Sequence, residues 1–159
     1  MKNKIIIGAS WTLVLLVMTM IFNFSSEVGE TSAQTSTGVV TEVLDVFMEK
    51  QEITPEVVRK FHFPIRKMAH FGIYMLLGFC VINAIEKSFR LKIYWSIILS
   101  FLISVIYACS DEIHQNFTEN RDPSFIDVLI DSGGALVGIF VFLLLILVIN
   151  KFSKRKSRT

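Results

Sequence analysis

The chain has 159 residues, 52% of them hydrophobic and 14 of them Phe, with a mean hydropathy of +0.56. That exceeds the roughly 45–50% apolar content of soluble domains and excludes an ordinary soluble protein. The net charge is only +2, and the two cysteines, Cys80 and Cys109, lie in apolar stretches with no CxxC pair, which excludes a disulfide framework, a thiolate metal site and a dithiol redox centre.

Four apolar windows, at about 5–24, 68–85, 93–109 and 128–149, approach or exceed the about 17–25 residues that cross a hydrocarbon core. The expected fold class is all-α. It is a four-helix transmembrane bundle with a short amphipathic helical outer segment, forming one integral membrane domain over residues 1–159. Lys2 and Lys4, then Lys87, Arg90 and Lys92, then Lys151, Lys154, Arg155, Lys156 and Arg158 occupy alternate flanks of these windows. Both termini are therefore expected in the cytoplasm. The connections at 25–67 and 110–127 hold 12 of the 14 acids but 6 of the 16 basic residues, and they are expected to face outward.

In chain order, the first apolar run is longer than the about 7–15 residues of a signal-peptide core and lacks a clear small-residue cleavage site, so an uncleaved span is expected. Ser25, Ser26, Glu27, Gly29, Thr31 and Ser32 form a polar exit into the outer loop. Between residues 39 and 47, Val39, Val40, Val43, Leu44, Val46 and Phe47 recur at helical spacing among Glu42 and Asp45, predicting an amphipathic helix. Thr54-Pro55-Glu56 then has the pattern of a cap and first turn, predicting a second short helix through Val57, Val58 and Phe61. These two helices are expected to lie on the outer surface or to cover the mouth of the bundle, as a shielding lid or a substrate gate.

Pro64 is expected to open the second membrane helix, where Lys67, His70, Phe71 and Tyr74 fall at i, i+3, i+4 and i+7 on one face. Arg66 and Lys67 place cations where the helix dipole prefers anions. The third span ends at Asp111 and Glu112, with Gln115 one turn on, which places acids where the dipole prefers cations. Pairing Arg66 or Lys67 with Asp111 or Glu112 would relieve both, so a purely structural ion-pair network is one alternative. In the next loop Arg121-Asp122-Pro123-Ser124 forms a turn, with Ser124 as cap of the last helix. Asp127, Asp131, Gly134 and Gly138 then make a single stripe, acids at the outer end and small residues below for close helix packing. The basic tail at 150–159 anchors to lipid headgroups rather than to nucleic acid.

The chemistry of this polar set is spread rather than motif-encoded, since no P-loop, GxSxG, HExxH or paired CxxC is present. Arg66, Lys67 and Arg121 can donate to phosphate or carboxylate oxygens. His70 can exchange a proton near neutral pH, and Asp111, Glu112, Asp127 and Asp131 can act as bases or bind a cationic group. The expected ligand-binding set is Arg66, Lys67, His70, Tyr74, Asp111, Glu112, Gln115, Arg121, Asp127 and Asp131. His70, Asp127, Asp131 and Glu112 are the catalytic candidates if there is turnover. Tyr74 has the alternative role of an interface anchor, and His114, in a wet turn, and His62 are ordinary polar contacts. No cofactor is expected, and no metal, since Asp111, Glu112, Asp127 and His70 lack the spacing of a dedicated loop.

Taken together, FSS at 24–26, RKMAHF at 66–71 followed by Tyr74, SDEIHQ at 110–115, Arg121, and the stripe from Asp127 to Gly138 resemble the VanZ-like family of small bacterial membrane proteins. The resemblance covers roughly residues 22–138. Departures are Glu119-Asn120 where relatives often have Pro-Gly, Gly72-Ile73 in place of a polar pair, and Glu27 where Gln is frequent. They bear on substrate detail, because the charged residues are intact. The family takes its name from a member linked to low-level teicoplanin resistance, so the resemblance implies a role in glycopeptide tolerance in the cell envelope. A phosphotransbutyrylase label on some relatives finds no acyl-CoA or nucleotide motif here. The implied partners are membrane lipids and a lipid-linked wall precursor or phosphate-bearing headgroup, bound without turnover or, alternatively, modified by His70 and an acid. Transport is a further alternative, and nothing in the sequence specifies an oligomeric state.

Overall fold

Apolar segments in lipid must satisfy every backbone N–H and C=O internally, and a helix does this within one segment. The computed structural model describes residues 2–26, 38, 41–46, 55–115, 117 and 124–156. It contains α1 (Lys2–Ser26), α2 (Pro55–Ser88), α3 (Ile93–Gln115) and α4 (Phe125–Lys156). No strand occurs among the described residues. All four helices contain a stretch long and apolar enough to cross a membrane: Asn3–Ser25, Pro64–Ser88, Ile93–Gln115 and Phe125–Ser153.

The helices overrun the apolar windows because each added residue gains a backbone hydrogen bond whatever its side chain. The consequence is largest at α2. Pro64 does not open this helix but lies inside it, and the short helix expected after Thr54 runs on without a break from Pro55. Proline removes the N–H that would bond the Lys60 carbonyl. Here it falls at the start of the membrane-crossing stretch, where solvent can take up that carbonyl. Of the outer amphipathic segment, residues 41–46 are described and helical. Leu44 is buried there while Val43 and Val46 are exposed. Val39, Val40, Phe47, Thr54 and Arg121 lie outside the described residues.

The central helix is α2, which packs against α1, α3 and α4, most extensively against α4. Within its spanning window 44% is buried, against 22–28% in the other three. One core cluster joins Val14, Val17 and Ile21 of α1 to Tyr74, Leu77, Val81 and Ile85 of α2 and Ala108 of α3. A second holds Ile82, Ile139 and Phe142. Large side chains such as Leu16, Met68, Ile106 and Leu147 remain exposed around the outside, as lipid-facing positions should.

Since lipid tails are as apolar as leucine, close packing rather than exclusion from water must hold the helices together. Gly134 and Gly138, expected to serve this purpose, do so: a Cβ on Gly134 would run into the Phe71 carbonyl, and one on Gly138 into the Met75 carbonyl. Gly78 on α2 meets the Ala135 carbonyl in the same way. The α2 and α4 backbones are thus in direct contact along three glycines. On α3 the buried face is Ser96, Ser100, Ser104 and Ala108, a ladder of small residues four apart. Ser100 Oγ donates to the Ser96 carbonyl at 2.7 Å and Ser104 Oγ to the Ser100 carbonyl at 3.0 Å, so these hydroxyls are satisfied within their own helix. Two longer links tie α1 in place: Tyr107 Oη donates to the Met18 carbonyl at 2.6 Å, and Trp11 Nε1 to Ser88 Oγ at 2.9 Å.

Candidate functional site

Antiparallel succession brings the end of α3 and the starts of α4 and of the α2 span to one end of the bundle. Arg66, Lys67 and His70 are half-buried on α2, and Tyr74, one turn deeper, is completely buried. Asp111, Glu112 and Gln115 of α3 are all buried, as is Asp131 of α4. Asp127, one turn before Asp131, is half-buried.

The pairing differs from the one the dipole argument predicts. Lys67 forms its ion pair with Asp127 rather than with Asp111 or Glu112. The reason is positional: the glycine contacts press α4 against α2 at this level, so the first acid of the α4 stripe lies nearest to the lysine. The α3 acids have other partners. Gln115 Nε2 donates to Asp111 Oδ2 at 3.1 Å, and the Ser124 backbone N–H donates to Glu112 Oε2 at 2.8 Å. Ser124 also caps α4 through its carbonyl, which accepts from the Asp127 N–H at 2.9 Å. Glu112 therefore fastens the end of α3 to the start of α4.

Deeper in, His70 Nδ1 stands 3.9 Å from Asp131 Oδ1, too far for a hydrogen bond but within ion-pair range. Asp131 is 1% exposed, and neither carboxylate oxygen has a hydrogen-bond partner. The Tyr74 hydroxyl, at 0% exposure, has none either. The expected role of Tyr74 as an interface anchor does not fit its position, because its side chain is completely buried in the core among the other helices. His114 also departs from expectation. It sits half-buried in the last turn of α3, and rather than making only a polar contact its ring stacks on Phe22 with centroids 4.6 Å apart.

Of the ten predicted binding residues, the nine described ones lie at this end of the bundle, and Arg121 lies outside the described residues. The sequence reading missed the serine ladder beneath them, although its spacing of four was legible, and it missed Tyr107. The Tyr107 ring lies 6.4 Å from that of Tyr74, and its hydroxyl ties α3 to α1.

The Lys67–Asp127 pair makes a direct prediction. Lys67→Glu puts like charges together and should lower the melting temperature of the purified protein, whereas Lys67→Glu with Asp127→Lys should recover most of the loss. A coupling energy of about 0.5–1 kcal/mol is expected from the double-mutant cycle, and zero coupling would show that the pair does not form.

Four helices long and apolar enough to cross a membrane, with a charged cluster at one end, define a small multi-pass membrane protein. A family model described as VanZ/LLP1 matches residues 10–147, and the chain belongs to that family. The matched region includes every residue of the cluster. Comparison with curated proteins and with solved structures gave no match.

Proposed function

We propose that this VanZ/LLP1-family protein contributes to teicoplanin tolerance in the bacterial cell envelope by binding a lipid-linked, phosphate-bearing wall component at the charged end of the bundle. In this reading the termini are cytoplasmic and the cluster opens outward, as the distribution of Lys and Arg suggests.

The observation that carries the reading is Asp131. A network that existed only to hold helices together would satisfy its buried members, because an unpaired polar group in a dry interior costs about 1–3 kcal/mol. Asp131 and Tyr74 are buried without hydrogen-bond partners, and ionisable groups kept within membrane segments at such a cost are functional by default. Arg66 and Lys67 supply the positive rim that would meet phosphate oxygens, with Arg121, from the connection between α3 and α4, as a further donor. The acids and His70 below would meet cationic or hydroxyl groups. The approach of His70 to Asp131 favours a second reading, a membrane enzyme using His70 and an acid as its acid/base pair.

The test replaces His70, Arg121, Asp127 and Asp131 singly and compares membrane abundance with teicoplanin tolerance. Tolerance should fall while abundance holds. If abundance falls in step with tolerance for every variant, the cluster is structural and the proposal fails. Turnover of a lipid-linked substrate by the purified protein would select the enzyme over the binder.

A further inference from the structure

We infer that His70, Asp111 and Asp131 form a binding site for a first-row divalent cation, Mn²⁺ or Zn²⁺. One ligand atom from each residue lies within 4.8 Å of the others, with the His70 and Asp131 atoms 3.9 Å apart. Bonds of about 2.0–2.2 Å place cis ligands on one metal roughly 3 Å apart and trans ligands roughly 4 Å apart, so a small side-chain adjustment closes the triad on an ion.

The independent observation is again the buried carboxylate, which meets His70 only at ion-pair distance and accepts no hydrogen bond. Asp131 is 1% exposed, faces the triad, and has neither oxygen hydrogen-bonded. A divalent ion removes that deficit outright. Asp111 is oriented by the Gln115 amide on its Oδ2, which leaves its other oxygen for the metal, as outer partners of metal-bound carboxylates commonly do. Lys67 is engaged with Asp127. One imidazole nitrogen with two carboxylates suits Mn²⁺ or Zn²⁺ better than Ca²⁺, which prefers six to eight oxygens, or a soft ion, which prefers sulfur. Three protein ligands leave coordination positions open for a phosphate oxygen.

The sequence alone predicts no metal, because the ligands come from three helices and form no loop signature. The inference deepens the proposed phosphate-binding role, yet the ion site is testable without any lipid. Full-length protein in detergent, stripped with EDTA and titrated with Mn²⁺ or Zn²⁺, should bind one ion per chain and melt several degrees higher. Mn²⁺ electron paramagnetic resonance on the unmutated protein should show a bound, anisotropic ion. His70→Ala and Asp131→Asn should each weaken binding by about tenfold or more, whereas Glu56→Gln, at an exposed acid in the first turn of α2, should leave it unchanged. Absence of both the bound-ion spectrum and the melting shift in the unmutated protein overturns the site, as does binding unaffected by His70→Ala and Asp131→Asn. Ion binding that persists while phosphate-bearing lipid fails to bind sinks the functional reading and leaves the ion site standing.

Discussion

Gly138→Leu is expected to destabilise the native bundle strongly. A Cβ at position 138 meets the Met75 carbonyl oxygen, and Gly134 and Gly78 make equivalent contacts with Phe71 and Ala135. These neighbours are helix backbone, whose hydrogen bonds leave them no freedom to move aside, so the whole of α4 must shift away from α2. Overpacking a core costs typically about 1–3 kcal/mol, and a clash with rigid backbone falls at or above the top of that range. At about 3 kcal/mol the folded fraction drops by roughly a hundredfold relative to the unfolded one. The loss also spreads, because α2 is the central helix and close packing is the main attraction between helices in lipid. Size-exclusion profiles and melting curves in detergent should show a large loss of monodisperse protein for Gly138→Leu. Gly8→Ala and Gly72→Ala, whose added Cβ atoms meet nothing within 4 Å, should behave like the unmutated chain. Wild-type melting of Gly138→Leu would mean that the two backbones do not approach in this way.

Asp131→Leu should act in the opposite sense on stability while removing function. In the presence of EDTA the carboxylate is buried without a hydrogen bond, and replacing it with an apolar side chain of similar length relieves about 1–3 kcal/mol of desolvation. A protein of this size gains about 2–4 °C in melting temperature per kcal/mol, so a rise of several degrees is expected. On the proposed role, teicoplanin tolerance should meanwhile fall to the level of cells lacking the protein. Increased stability with lost function is the pattern of a residue retained for what it binds. Decreased stability in EDTA would instead show that Asp131 holds the bundle together, and the site assignment would have to be abandoned.

The sequence was most informative where one helix could be read by itself. Asp127, Asp131, Gly134 and Gly138 fall on one face at helical spacing, and all four turn toward α2, the acids at its polar end and the glycines against its backbone. The charged run Arg66–Lys67 and the buried positions Asp111, Glu112 and Gln115 were equally legible, since a polar group inside or beside an apolar window stands out. Boundaries were less so. Pro64 has the signature of a helix start, and only the continuous backbone hydrogen bonding from Pro55 shows otherwise.

By itself, then, the sequence determined the all-helical class, the four apolar segments, their order and the face each polar residue occupies on its own helix. It also carried the family, through residues spread over most of the chain. The tertiary structure decided which faces meet. That Lys67 takes Asp127 and not Asp111, that Tyr74 is sealed inside, and that His70, Asp111 and Asp131 converge from three helices depend on the rotation and axial offset of each helix against its neighbours. Periodicity within one helix carries no information on either quantity. Here both are set by the glycine contacts between α2 and α4 and by the small-residue face of α3, which let backbones approach closely enough to bring the charged ends of three helices into one cluster.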